Sequence, residues 1–381
     1  MWYNVRHMAK VSKAGGRLHI EMADELCADI RAGKYVSSRS FPSLTRIMHR
    51  FGVTRVTAMR IVDELKRRGV ITAVPRSGIV VKNVNRSIGL ILPGVAYSEF
   101  FPPIMSGISR RCQEAGYSLL FGDVYSKNPQ IRVRQARALA QDFAEKHVAG
   151  VILQPIEFMD GVKRINSEIV AILKGAGIPV VLIDYDIVPP PERSDFDLVG
   201  INNFDAGRRL AAHLIAAGAK NIHFLMRHHW SASIQNRLAG VNSAISEGLI
   251  NRKAMNVFKG DPKDTTVVRD YLKKHNPDAI ICGNDTTAVQ LKQVFDRLGV
   301  RVPEDIMLAG FDDVQFASLM SPPLTTIRQP CDGIAATAFK VLLERIADPS
   351  VLPREILLPA PLVARESTRS RGDSEAAKKG D

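Results

Sequence analysis

Between residues 41 and 69, apolar side chains recur at helical spacing in two short blocks separated by a glycine. Leu44, Ile47, Met48 and Phe51 share one face of a first helix, with Ser43 placed to cap it and Gly52 where a left-handed residue ends a helix cheaply. Thr54 caps a second helix whose inner stripe is Ala58, Ile61, Val62 and Leu65, and Gly69 closes it. Arg55 then lies at the first turn, with Val56, Arg60 and Arg67 along the outer face. Two such helices, the second carrying arginines outward, have the geometry that sets a helix into a DNA major groove. The plainer reading is a surface hairpin with solvated charge. Beyond it, Val70–Val74 and Ile79–Val81 flank Pro75-Arg76-Ser77-Gly78, which predicts a β-hairpin with a basic tip. The whole is a winged helix-turn-helix, preceded by a helix that places Ala23, Leu26, Cys27 and Ile30 on one face and stops at Gly33.

From residue 88 the pattern changes. Buried-strand runs recur at 88–92, 118–121, 150–153, 180–183, 222–225, 279–282 and 307–309, with helical stretches such as 104–115 and 208–217 between them. Continuous apolar runs alternating with helices argue for parallel sheets covered on both faces. The stretch is too long for one such sheet, so two doubly wound lobes are expected, with ligand in the cleft outside the strands' carboxyl ends.

Charge sharpens the division. The first 86 residues hold 17 Lys and Arg against 6 Asp and Glu, so +11 of the chain's net +13 belongs to them. Charge gathered on a small module points to a polyanion at that module. A membrane surface is the competing polyanion, but no stretch pairs this charge with a strong amphipathic face, so duplex DNA is the expected partner. In the 381 residues no apolar run approaches the roughly 20 that span a bilayer, and the N-terminus lacks a signal-peptide core. Cys27, Cys112, Cys282 and Cys331 are widely spaced and fit reduced thiols. A cytoplasmic location follows, with no membrane partner.

Residues 17–82 resemble the DNA-binding domain of the GntR family. Its Leu-Pro-Ser helix start, Gly-Val-Ser/Thr-Arg-x-Thr turn and Gly-Leu-Ile before the wing stand here as Phe41-Pro42-Ser43, Gly52-Val53-Thr54-Arg55-Val56-Thr57 and Gly69-Val70-Ile71. By that resemblance Arg55 reads a base edge, Thr57 holds phosphate, and Arg76, Ser77 and Gly78 of the wing approach the minor groove. Ser43, Thr45, Arg46, Thr54, Val56 and Arg60 complete the expected DNA-facing set. Leu44-Thr45-Arg46 stands where the family usually has Glu-Arg-Glu, and Met59 where a second arginine commonly precedes Arg60, so the family's usual operator does not transfer.

Residues 87–366 are similar to the effector domain of the LacI/GalR family, which shares the periplasmic-binding-protein fold. The ordered segments include Ile88-Gly-Leu-Ile-Leu-Pro93, Ile178-Pro-Val-Val-Leu-Ile-Asp184, Arg237-Leu-Ala-Gly240, Cys282-Gly-Asn-Asp285, Gly310-Phe-Asp-Asp313 and Pro323-Leu-Thr-Thr-Ile-Arg-Gln329. The combination resembles arabinose-responsive repressors of the GntR type. The expected fold class is α/β: a winged helix-turn-helix at 17–82, a connector at 83–87, and a two-lobed periplasmic-binding-protein-like domain of doubly wound parallel sheets at 88–366. A polar, disordered tail is expected at 367–381. LacI-type repressors place a hinge helix at the connector, for which five residues leave no room.

Carried over, Asp184, Asn284 and Asp312 end strands and accept hydrogen bonds from ligand hydroxyls. Arg237, just before a helix, supplies a fork of donors, and Gln329 lies at a lobe crossover. Phe100 and Phe101 follow the first strand and offer aromatic faces to a sugar ring. The plainer readings are loop caps for Asn284 and Asp312, and core for the two phenylalanines. Arg is frequent after the aspartate in sugar binders of this fold, and here it is Tyr185. A sugar is the expected effector, with a purine or other polar metabolite as the open alternative.

His228-His229-Trp230 is the one cluster suggestive of catalysis or metal, but adjacent histidines point to different sides of any regular element. No HExxH, GxSxG, Walker loop or GxGxxG after the first strand is present. A sugar-modifying enzyme or a stand-alone sugar-binding protein would leave the basic module unexplained. The expectation is a homodimeric, ligand-responsive regulator, a repressor, with no cofactor, metal or catalytic residue.

Overall fold

The computed structural model describes residues 18–31, 34–35, 41–74, 78–81, 86–95, 99–126, 128–156, 162–189, 192–227, 231–247 and 256–369. The basic module comprises α1 (Leu18–Arg31), α2 (Leu44–Phe51), α3 (Arg55–Arg67) and the antiparallel hairpin β1 (Ile71–Val74) and β2 (Gly78–Val81). Ser43 caps α2 through the Arg46 amide, Gly52 takes φ 62°, and Thr54 caps α3 through the Thr57 amide. Leu26, Ile47, Ile61 and Leu65 are fully buried in one small core. That core could not bury the apolar stripes of the helices unless all three met, so the caps and the stripes specify the same arrangement.

The first lobe is β3 (Ser87–Leu92), α4 (Phe101–Glu114), β4 (Ser118–Asp123), α5 (Pro129–Glu145), β5 (Gly150–Leu153), α6 (Val162–Gly175), β6 (Val180–Ile183) and β7 (Asp197–Ile201). The chain crosses to the second lobe with α7 (Asn203–Ala216), β8 (Ile222–Met226), α8 (Ala232–Glu247), β9 (Asn256–Lys259), α9 (Thr265–His275) and β10 (Ala279–Cys282). That lobe continues through α10 (Asp285–Leu298), β11 (Met307–Asp312), α11 (Gln315–Leu319) and β12 (Thr325–Arg328). It crosses back with α12 (Cys331–Ala347) and β13 (Glu355–Leu358), and once more to β14 (Leu362–Val363). The sheet orders are β13-β7-β6-β5-β3-β4 and β14-β12-β11-β10-β8-β9, parallel except for β14. Strands β5, β6 and β10 are buried at every position, as sheets covered on both faces require.

Two expectations shift at the edges. Ser87, placed in the connector, is the first residue of β3 and is buried. The tail does not begin at 367: Glu366–Thr368 form a 3-10 turn with Ser367 and Thr368 buried. The Ser367 hydroxyl donates to the Leu308 carbonyl and accepts from the Thr325 amide, so a stretch poor in apolar residues is ordered by hydrogen bonds to β11 and β12. Residues 370–381, most of connector 83–87, Arg76 and Ser77, and the His228-His229-Trp230 cluster lie outside the described residues.

Candidate functional site

The arginines of the basic module fall into two groups. Arg50 donates to the buried Asp29 at 2.6 Å and pairs with Glu25; Arg68 pairs with Asp24 and, at 2.7 Å, with Glu64. Arg67, exposed on the outer face as expected, forks onto Glu64 of the same helix at 2.8 and 2.6 Å, and it leads Arg68 in holding that carboxyl down at about 2. Arg50 and Arg68, each joined to α1, brace the fold. Arg46, Arg55 and Arg60 are exposed and make no ion pair among the described residues. They share the outer surface of α2 and α3 with exposed Ser43, Thr45, Thr54 and Val56, and with Thr57, whose hydroxyl lies 3.2 Å from that of Thr54. Gly78 opens the wing's second strand. Uncompensated guanidinium groups on a capped helix are the electrostatic footprint of a phosphate backbone partner.

Between the lobes lies a cavity of about 250 Å³. Phe100, Phe101, Asp184, Arg237, Asn284, Asp312 and Gln329 all line it. Asp184 follows β6 at φ 72°, and Asp312 ends β11 at φ 113°, so both strands deliver a carboxylate by an unusual backbone turn. Arg237 does not precede a helix; it lies inside α8, 4% exposed, with its guanidinium 4.6 Å from the Phe311 ring centre. Its Nε donates to Asn203 Oδ1 at 2.9 Å and its Nη1 to the Gly283 carbonyl at 2.8 Å, which leaves Nη1 3.6 Å from Asp312 Oδ1. Gln329 donates to Asp312 at 2.7 Å.

Asn284 caps α10, accepting from the Thr287 amide at 2.9 Å, so its oxygen is committed to the helix although it lines the cavity. Phe100 and Phe101 are 7% and 8% exposed and belong to the main core, their rings 5.3 Å apart; they serve as core and cavity wall together.

The sequence reading missed Glu99, Arg132 and Arg227, which also line the cavity, and four residues that hold the site's polar groups. Gln154, just after β5, donates to Asp184 at 3.3 Å, and Ser233 donates to its other oxygen at 3.1 Å. Asn203 orients Arg237. Asp285, wholly buried, accepts from Thr326 at 2.7 Å and from the Val314 amide at 3.2 Å, tying β12 and the loop after β11 together behind Asp312. The rule that flagged Asp184, a polar residue directly after a buried strand, would also have found Gln154.

Burial pushes the Asp312 carboxyl from 3.8 up to about 6, against the pull of Arg237 and Gln329, with the charge of Asp184 adding to the rise. Burial likewise raises Asp184 and Asp285. Cys331, beside this cleft, is pushed to about 12 by burial first and Asp312 next, so it presents a thiol and no thiolate nucleophile.

Comparison with known proteins decides the family. The chain is 30% identical over 341 residues to the HTH-type transcriptional repressor PurR of Vibrio vulnificus, an alignment covering 86% of this chain and 95% of that one. The chain belongs to the LacI family of transcriptional regulators. The periplasmic binding protein-like domain family matches this regulator over residues 211–368, and the gntR family of bacterial regulatory proteins matches it over 19–81. Its DNA-binding module is thus of GntR type, joined to a LacI-type effector domain. The transcription regulator GntR from Chromobacterium violaceum superposes with TM-score 0.59 at 26% identity, over 74% of this chain and 99% of that one. A LacI family regulator from Enterococcus faecalis, solved with bound ribose, superposes with TM-score 0.62 at 23% identity and shares the fold over 74% and 99% of the two chains. The regulator's relatives are repressors, not enzymes. No described helix is long and apolar enough to cross a membrane.

Proposed function

We propose that this regulator is a cytoplasmic, homodimeric repressor whose operator affinity is set by a sugar held between its lobes. The observation that carries the reading is convergence: seven side chains scattered from Phe100 to Gln329 line one cavity. Its polar members, Asp184, Arg237, Asp312 and Gln329, can each hold a ligand hydroxyl, and Phe100 and Phe101 form an apolar wall. A buried polyhydroxyl ring needs a partner for each hydroxyl and an apolar surface for its C–H face.

On the DNA side, Arg55 and Arg60 of α3 read base edges or phosphate, Arg46 and Thr57 hold the backbone, and the wing carries Arg76, Ser77 and Gly78 toward the minor groove. Two chains present two such modules to half-sites related by a two-fold axis. Transmission has a physical route that needs no hinge helix. Helix α12 begins directly after the Gln329–Pro330 crossover, packs along β5, β6 and β7, and also packs against α1. Ligand contacts that differ between open and closed lobes then bias the position of the DNA-binding module.

The test is titration of the regulator's own promoter fragment by fluorescence anisotropy at several salt concentrations, with and without monosaccharides. Salt-sensitive binding that one sugar shifts supports the reading. Binding shifted only by nucleobases moves the effector to a purine, and salt-independent or absent DNA binding removes the operator role.

A further inference from the structure

The two carboxylates of the cleft differ in their partners, in a cavity that Glu99, Arg132 and Arg227 also line. On the second-lobe wall, Asp312 has Arg237 Nη1 at 3.6 Å and the Gln329 amide at 2.7 Å. On the first-lobe wall, Asp184 is contacted only by neutral donors, the Ser233 hydroxyl at 3.1 Å and the Gln154 amide at 3.3 Å, and no cation pairs with it among the described residues. Two carboxylates therefore share one guanidinium, and that guanidinium is tied to the second lobe through Asn203 and Gly283.

Gln154 adds an independent observation. It is 2% exposed and lines the cavity, its amide nitrogen is given to Asp184, and its amide oxygen has no partner. The carboxylate fixes that orientation, because reversing the amide would set oxygen against oxygen. Gln329 repeats the arrangement on the other wall: nitrogen to Asp312, oxygen without a partner. Each buried bare acceptor calls for a donor. Around Asp184 the first-lobe wall is thus a carboxylate beside a bare carbonyl oxygen. A hydroxyl offers that carboxylate one proton and no charge; an ammonium group offers three protons and a positive charge of its own, beside the one guanidinium that Asp184 shares with Asp312. Tyr185, next in sequence, supplies neither, since its hydroxyl donates to the Pro155 carbonyl.

We propose that the effector carries a protonated primary amine, seated against Asp184 and Gln154, with its hydroxyl groups turned to Arg237, Asp312 and Gln329: an amino sugar or an aminated polyol of similar size. The proposal rests on the reading of the cavity as a sugar-type effector cleft. It makes Gln154 and Asp184 the residues that select amine over hydroxyl, and Arg237 the residue common to both ligand types.

The experiment is calorimetric titration of the full chain at neutral pH with 2-amino and 6-amino hexoses, their neutral parents and their N-acetyl forms. At least one amine should bind tenfold or more tighter than its parent, and acetylation, which removes the charge and blocks the amine, should abolish the gain. Asp184→Asn should reduce the amine-to-parent affinity ratio at least tenfold, with circular dichroism melting confirming that the variant is folded. Neutral hexoses binding as tightly as every amine would overturn the amine and leave the sugar cleft standing. Nucleobases binding with no response to any hexose or amino hexose would overturn both.

Discussion

Gly207 lies directly beneath the backbone of Arg237. A Cβ at Gly207 would stand 2.0 Å from the Arg237 carbonyl oxygen, and a Cβ at Gly240 would stand 1.9 Å from that of Phe204. Helices α7 and α8 therefore cross with their backbones in contact, and the crossing sets the depth at which the Arg237 guanidinium enters the cleft. Gly207→Ala forces the helices apart against backbone atoms that cannot yield, at a cost of about 3 kcal/mol. Urea unfolding should show that loss, and effector response should fall with it; a variant as stable as the parent would mean the crossing is looser than described.

Arg237→Ala and Asp312→Ala should each abolish the effect of ligand on operator affinity. Removing the guanidinium also strips donors from Asn203 and Gly283 and leaves Asp312 buried without its cation, a change worth about 3 kcal/mol or more of stability. Anisotropy titrations with saturating ligand read the response directly. If both variants still respond normally, the ligand lies elsewhere.

Arg55 and Arg50 make a matched pair of opposite predictions. Arg55→Ala should weaken operator binding by about 1–3 kcal/mol and blur base preference, as expected for a lost base contact. Arg50→Ala should lower the melting temperature, because it leaves Asp29, whose side chain is 5% exposed, with one fewer partner. Gel shifts on operator and mutated operator, set beside melting curves, separate the two roles.

The raised carboxyl of Asp312 gives stability a pH signature. Between 3.8 and about 6 the folded chain keeps a proton that the unfolded chain releases, so this group's contribution falls as pH rises through that window and is level above it. Asp184, also raised by burial, acts in the same direction. Asp312→Asn removes the ionisation, and its oxygen can still accept from Gln329. The variant should therefore match the wild type near pH 3.8 and gain on it steadily up to about 6, measured by melting temperature without ligand. A constant difference across the window would show that Asp312 titrates normally.

Much of this molecule is local in origin, and local features are legible in a chain. Ser43, Gly52 and Thr54 cap or stop helices through bonds to residues three or four positions away, and the stripe of Ala58, Ile61, Val62 and Leu65 needs only its spacing to declare an inner face. Runs such as Val180–Ile183 announce buried strands, and the strand-end rule leads to Asp184. Short, less apolar strands such as β9, with one buried residue of four, and β14, with two residues, carry too little pattern to stand out. Residues 366–368 read as tail because their order comes from partners some 40 or more positions away, at Leu308 and Thr325.

Sequence alone thus determined the modules, their order and the segregation of positive charge, since periodicity, caps and composition are properties of neighbours along the chain. Only the tertiary structure decided which arginines brace the fold and which face outward, and that Arg237 belongs to the body of α8. It alone paired Gln154 with Asp184 and Gln329 with Asp312, leaving two amide oxygens bare. Those outcomes depend on contacts between segments far apart in sequence, which form only when the crossing helices and the two sheets have packed.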